Sequence, residues 1–127
     1  MAKTKKEEGN LPGGINQLQL DEWKRANPEG VVQLDVVVQN EEKDESGKVT
    51  QPKKTATIYL KDPFNKPSVI TEAMGKDTKH EMQEYILGAL FLGGDKAEVF
   101  ENKKAKYWAG IQAYRLIEVN ETAVKKA

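Results

Sequence analysis

The chain has 127 residues, of which 38% are hydrophobic and 31% charged, so one domain with a single modest core is the expected scale. Twenty basic residues balance twenty acidic ones, which argues against a protein that grips nucleic acid over its whole surface. The absence of cysteine excludes disulfides, thiolate metal sites and cysteine nucleophiles.

Residues 1–15 read as a charged N-terminal tail: Met1 to Gly9 has no apolar stretch to serve as a signal sequence, and Leu11-Pro12-Gly13-Gly14 is turn-rich. A single α+β domain is expected over 16–120. Within 16–26, Leu20, Trp23 and Ala26 recur at helical spacing, and Asp21 and Glu22 early with Lys24 and Arg25 late suit the dipole of a short helix beginning near Leu20. Asn27-Pro28-Glu29-Gly30 stops that helix.

The clearest strand covers 31–39, where Val32, Leu34, Val36 and Val38 share one face and Gln33, Asp35 and Gln39 the other. A second strand over 55–61 sets Ala56, Ile58 and Leu60 against Thr55, Thr57 and Tyr59. Together they predict an antiparallel hairpin whose far end, 40–54, is a charged arm turning at Glu45-Ser46-Gly47, with regular pairing broken at Pro52.

A short helix is expected from Pro67 to Met74, closed by Gly75. Asp77 or Thr78 caps the next, where Met82, Tyr85, Ile86, Ala89 and Leu90 mark one face and Leu87, Phe91 and Leu92 widen it before Gly93-Gly94. Ala97-Glu98-Val99-Phe100 is ambiguous between loop and extended chain. The last helix is expected over 102–117, packed on both sides, with Trp108 in the core and 121–127 a C-terminal tail. The predicted fold is therefore α+β, an antiparallel hairpin covered by three to four helices. A two-stranded sheet is marginal alone, so a third strand is expected from 97–100 or from another subunit.

Catalytic chemistry finds little purchase. His80 is the sole histidine, beside Lys79 and Glu81 at a helix start, with no nucleophile or further nitrogen ligand beside it in sequence. Glu41, Glu42, Asp44 and Glu45 lack the ligand alternation and central glycine of a calcium loop. Gly75-Lys76 lacks the upstream glycine of a phosphate loop, and Gly93-Gly94-Asp95 has no dinucleotide fingerprint. No enzyme, cofactor or metal is expected. Lys103, Lys104 and Lys106, interleaved with Tyr107 and Trp108, form a candidate basic patch, read as the polar edge of a helix because the overall charge is balanced. Exposed apolar residues are the better lead. Trp23, Phe64, Phe91 and Leu92 are the candidate partner contacts, on a surface combining the 86–92 helix with the hairpin edge.

Several phrases carry a family likeness: Ile58-Tyr59-Leu60-Lys61-Asp62-Pro63, Glu84-Tyr85-Ile86-Leu87, Leu92-Gly93-Gly94-Asp95 and Tyr114-Arg115-Leu116-Ile117-Glu118-Val119. In this order over about 18–120, the chain resembles small proteins of bacteriophage and prophage structural-gene clusters, especially tail assembly chaperone-like proteins. The resemblance implies a non-enzymatic helper in the host cytoplasm that binds tail or virion proteins during assembly. The long 40–54 arm departs from that pattern. The alternatives are a virion component (neck, tail or capsid-associated) pairing through its hairpin, a homo-oligomer included; a small host-directed factor; and a nucleic-acid binder. Neither nucleic acid nor membrane is expected as a partner.

Overall fold

The computed structural model describes residues 10–126, and side chains as far as Ile117. The fold is α+β, built on a three-stranded antiparallel sheet and a separate two-stranded one. A 3-10 turn, Pro12–Gly14, leads into α1, Gln17–Ala26. Strand β1 is Val31–Gln39, the arm carries β2, Glu42–Lys43, and β3, Val49–Gln51, and β4 is Lys54–Lys61. A second 3-10 turn, Pro63–Asn65, precedes α2, Ser68–Met74, and α3, Lys79–Leu90. Strand β5 is Phe91–Gly94, followed by α4, Lys96–Phe100, and α5, Lys103–Lys126.

The expected hairpin forms as β1 against β4, with Val32 opposite Leu60, Leu34 opposite Ile58 and Val36 opposite Ala56. Regular pairing slips by one residue at Val38, between the Val37–Thr55 and Gln39–Lys54 pairs. Beyond this bulge the charged arm pairs on itself, separated from β4 by Pro52 and Lys53. Its turn is organised by Asp44, whose carboxylate accepts from Ser46 N, Ser46 Oγ and Lys48 N at 2.9, 2.6 and 3.0 Å. These donors hold the Asp44 carboxyl below its ordinary value of 3.8, the Ser46 hydroxyl contributing most.

The third strand is where the sequence reading needs correction. Residues 97–100 are helical, and the strand comes from 91–94, in the stretch expected to be the end of α3. Phe91 has extended φ/ψ of −62° and 132°, so the helix stops at Leu90. Gly93 and Gly94 then pair with Tyr59 and Ile58. Their small size is required here. A Cβ on Gly94, at φ +115°, would lie 2.5 Å from the Thr57 carbonyl oxygen, and one on Gly93 would lie 2.6 Å from the Trp23 ring. A diglycine that reads as a helix stop is thus also a strand made for close backbone approach.

Strand order β1-β4-β5 puts β4 at the centre. One sheet face, with Val36, Ala56, Ile58 and Leu60, packs against Ile86, Leu87 and Leu90 of α3, Val99 of α4 and Ala105, Ala109, Ala113 and Ile117 of α5. Those alanines recur every four residues and let α5 approach closely. The opposite face of β4 is covered too. Residues 11–15 lie over it: Ile15 is buried, and the Tyr59 hydroxyl donates to the Pro12 carbonyl at 2.7 Å. The expected 1–15 tail therefore does not extend through 11–15, and its 1–9 portion lies outside the described residues. Helix α5 also runs past the expected end at 117 to Lys126.

Helix starts follow local chemistry. Asn16 accepts from Gln19 N at 2.8 Å. The Thr78 hydroxyl oxygen accepts from Glu81 N at 3.1 Å and donates to the Glu81 carboxylate at 3.1 Å, a side-chain cap that settles the Asp77-or-Thr78 choice.

Candidate functional site: the open edge of strand β1

Each strand of the three-stranded sheet except β4 has an outer edge. Among the described residues β1 pairs with β4 alone, so no strand lies on its other edge, which is regular from Val31 to Val37. A groove of about 600 Å³ runs along this edge, with 34–40 as floor, Gln51 at the arm end and Asn102, Lys104, Trp108 and Gln112 as wall.

The wall follows from helical spacing. Lys104, Trp108 and Gln112 are four residues apart, next to the buried Ala105-Ala109-Ala113 stripe but rotated out of it. Asn102 fixes the wall to the floor. Its side-chain oxygen accepts from Ala105 N, capping α5, while its amide donates to the Val38 carbonyl at the bulge, both at 3.1 Å. The amides of Gln39 and Gln51 donate to the Pro52 and Asn40 carbonyls at 2.8 Å, which ties the base of the arm to the groove end.

Trp108, expected in the core, is 56% exposed and Val37 is 40% exposed. Edge strands are usually guarded by lysine, proline or an inward charge. The only charge on β1 is Asp35, and it already accepts from Thr57 Oγ1 at 2.7 Å and Gln33 Nε2 at 3.2 Å. Only the Val38 bulge interrupts the edge. An apolar, nearly neutral strand edge beside an exposed indole can accept an extended polypeptide through backbone hydrogen bonds and alternate side-chain contacts.

The Ile86–Leu92 surface anticipated from sequence does not exist as such. Ile86, Leu87 and Leu90 are fully buried. Phe91 packs edge-on against Phe100 at 5.1 Å between ring centroids, with the Lys96 ammonium over its face at 5.9 Å, and Leu92 is half-buried on β5. Trp23 is half-buried over Gly93, 5.6 Å from the Tyr59 ring, and so works as a cover for the sheet. Phe64 is 49% exposed in the turn after β4. None of these four lines the β1 groove.

The basic patch is divided. Lys104 lines the β1 groove, whereas Lys103 and Lys106 line a second cleft of about 520 Å³ with His80, Glu84, Glu101 and Tyr107. There the Glu84 carboxylate lies 3.5 Å from both Lys106 Nζ and His80 Nε2, so the cleft carries mixed charge. His80 stacks on Tyr107 at 6.0 Å, and Tyr107 meets Trp108 edge-on at 5.9 Å, an aromatic ridge linking the two grooves. Among the described residues no three His, Asp or Glu side chains are grouped to hold a metal ion, and no helix is long and apolar enough to cross a membrane.

Comparison with known protein families, characterised proteins and solved structures gives no match. The edge of β1 was visible in the sequence as part of the candidate surface, because the Val/Leu alternation marks a strand and a hairpin has two edges. Trp108 was missed because Ala105 and Ala109 beside it read as a continuous apolar face. Its four-residue spacing with Lys104 and Gln112 was the available signal.

Proposed function

We propose that this chain is a non-enzymatic binding protein of a larger assembly, and that it accepts an extended strand from another polypeptide along the free edge of β1. The observation that carries this reading is a strand edge with no strand beside it, regular over Val31–Val37, next to the exposed Trp108 wall. The resemblance to phage structural-cluster proteins supplies the setting, with tail or virion proteins as partners. The burial of Ile86, Leu87 and Leu90 weighs between its two versions. The chaperone version, implied by the resemblance, called for surplus apolar surface on α3, and those side chains are used in the core. A strand-pairing edge instead favours a subunit that joins its neighbours.

The test is a photo-crosslinking side chain placed at Val37, in the full chain co-expressed with the proteins encoded beside its gene. The reading expects adducts to an extended segment of another chain, reduced about tenfold or more by Trp108→Ser, in line with loss of an interface aromatic anchor. Adducts unchanged by Trp108→Ser, or no polypeptide adduct at all, would contradict it.

A further inference from the structure

Residues Val31-Val32-Gln33-Leu34-Asp35-Val36-Val37 read almost the same in both directions, with Leu34 at the centre. In an antiparallel pair this has a geometric meaning. If the strand meets its own copy with Leu34 opposite Leu34, then Val32 faces Val36, Val31 faces Val37 and Gln33 faces Asp35, each pairing occurring twice. From these features we infer that the edge of β1 pairs with β1 of a second copy of this chain, about a two-fold axis through Leu34. The inference rests on the strand-accepting reading above and names the strand.

Four features favour a second copy over an unrelated strand. The seven residues end before the bulge at Val38, so the paired stretch is regular. Gln33 and Asp35 are exposed and on the same face, and the Gln33 amide that now donates to Asp35 within the chain can donate to Asp35 of the copy. Registers that oppose Asp35 to itself would set two carboxylates side by side, whereas this one opposes each to an amide. Finally, Leu34 and Val38 are only partly buried on the helix-facing side, because no strand follows β1 there. A strand added at that edge exposes its own apolar face unless it arrives with a helical layer, and a second copy brings its α5. The joined sheet then has six strands, ordered β5-β4-β1-β1-β4-β5, and Trp108 of each copy overhangs the seam.

The chain lacks cysteine, so a single engineered thiol reports on the axis without interference. Leu34→Cys is expected to yield a disulfide-linked dimer under mild oxidation. Opposed residues in antiparallel strands have Cα atoms about 4.5–5.5 Å apart, within the range a disulfide spans. Val32→Cys is expected to stay unlinked, because four residues of offset separate it from its own copy by about 13 Å. Gln33→Lys and Gln33→Glu, both at an exposed position, provide a second readout by sedimentation equilibrium. The lysine sits opposite Asp35 of the copy and tightens the dimer, and the glutamate loosens it. With two symmetric sites changed together, the dissociation constant should move roughly 2- to 30-fold in each direction.

A mass of 14.2 kDa for the wild-type chain at all concentrations up to ~0.2 mM would overturn the inference. So would equal linking of Leu34→Cys and Val32→Cys, or Gln33→Lys and Gln33→Glu shifts of the same sign. The Val37 crosslinker separates the two levels of the reading. Adducts only to a different protein would overturn self-pairing while leaving the strand-accepting edge in place, and absence of any polypeptide adduct would remove both. Adducts mapping to Val31 of a second copy would support both.

Discussion

Replacing Gly94 with alanine tests the placement of the third strand, on which the position of the free edge depends. Gly94 has φ +115°, a region L-residues rarely occupy, and such strain costs about 1–3 kcal/mol. The added methyl would also meet two backbone atoms, the Thr57 oxygen at 2.5 Å and the Ile58 Cα at 2.8 Å. Neither can rotate away as a flexible side chain would, so β5 must move off β4, at a further ~1–3 kcal/mol typical of overpacking. The sum, about 2–6 kcal/mol, is a large part of the ~5–15 kcal/mol that stabilises a domain. Urea denaturation followed by circular dichroism measures it, the midpoint falling with little change in slope. A loss below about 1 kcal/mol would show that β5 does not pack against β4 as described.

Gly88→Ala should act in the opposite direction, because Gly88 lies in the exposed face of α3 with open space around it, and the gain should be about 0.5–1 kcal/mol in the same urea titration. The two tryptophans should separate stability from binding. Trp23→Ala removes the ring that covers Gly93 and Tyr59 and should cost about 2 kcal/mol, less than the ~3–5 for a fully buried ring. Trp108→Ser should change thermal stability by no more than about 0.5 kcal/mol while weakening association. Tyr59 should ionise later than an ordinary tyrosine on alkaline titration followed by ultraviolet absorbance, because burial first, and the Asp35 and Asp95 charges after it, raise its value above 10.0. Since the folded-state value is raised, its contribution to stability is complete below pH 10 and is lost as pH rises through the higher folded-state value. The Asp44 turn runs the other way. Its lowered value means that the turn is fully stabilised above pH 3.8 and loosens as pH falls through the folded-state value, seen as loss of slow amide exchange at Ser46 and Lys48.

Elements with one dominant local signal were legible in the sequence. The alternation of Val32, Leu34, Val36 and Val38 fixes a strand, and Gly75 and Thr78 punctuate two helices through their own backbone and hydroxyl chemistry. What escaped was decided by tertiary contact. Phe91 and Leu92 continue a helical pattern, yet the chain turns extended there, where Gly94 approaches the β4 backbone too closely for a Cβ and Gly93 leaves room for the Trp23 ring. Thr57 and Tyr59 look like the solvent side of a half-buried strand, and they are buried because 11–15 and Trp23 fold back over them. The same folding back explains why Trp23 is not on an open surface. For the candidate surface, the sequence reading paired the hairpin edge with α3. Helix α3 spends Ile86, Leu87 and Leu90 on the core, leaving α5 to present Trp108 beside β1.

Amide hydrogen exchange along β1, read residue by residue by NMR, tests the strand-accepting edge most directly. In the dilute monomer, amides directed at β4 should exchange slowly and those directed at the open edge quickly, an alternation of period two. In the assembled state both sets should become slow over Val31 to Val37. If the edge-directed amides of the assembled protein still exchange as fast as in the monomer, no strand is added there and the account of this surface is wrong.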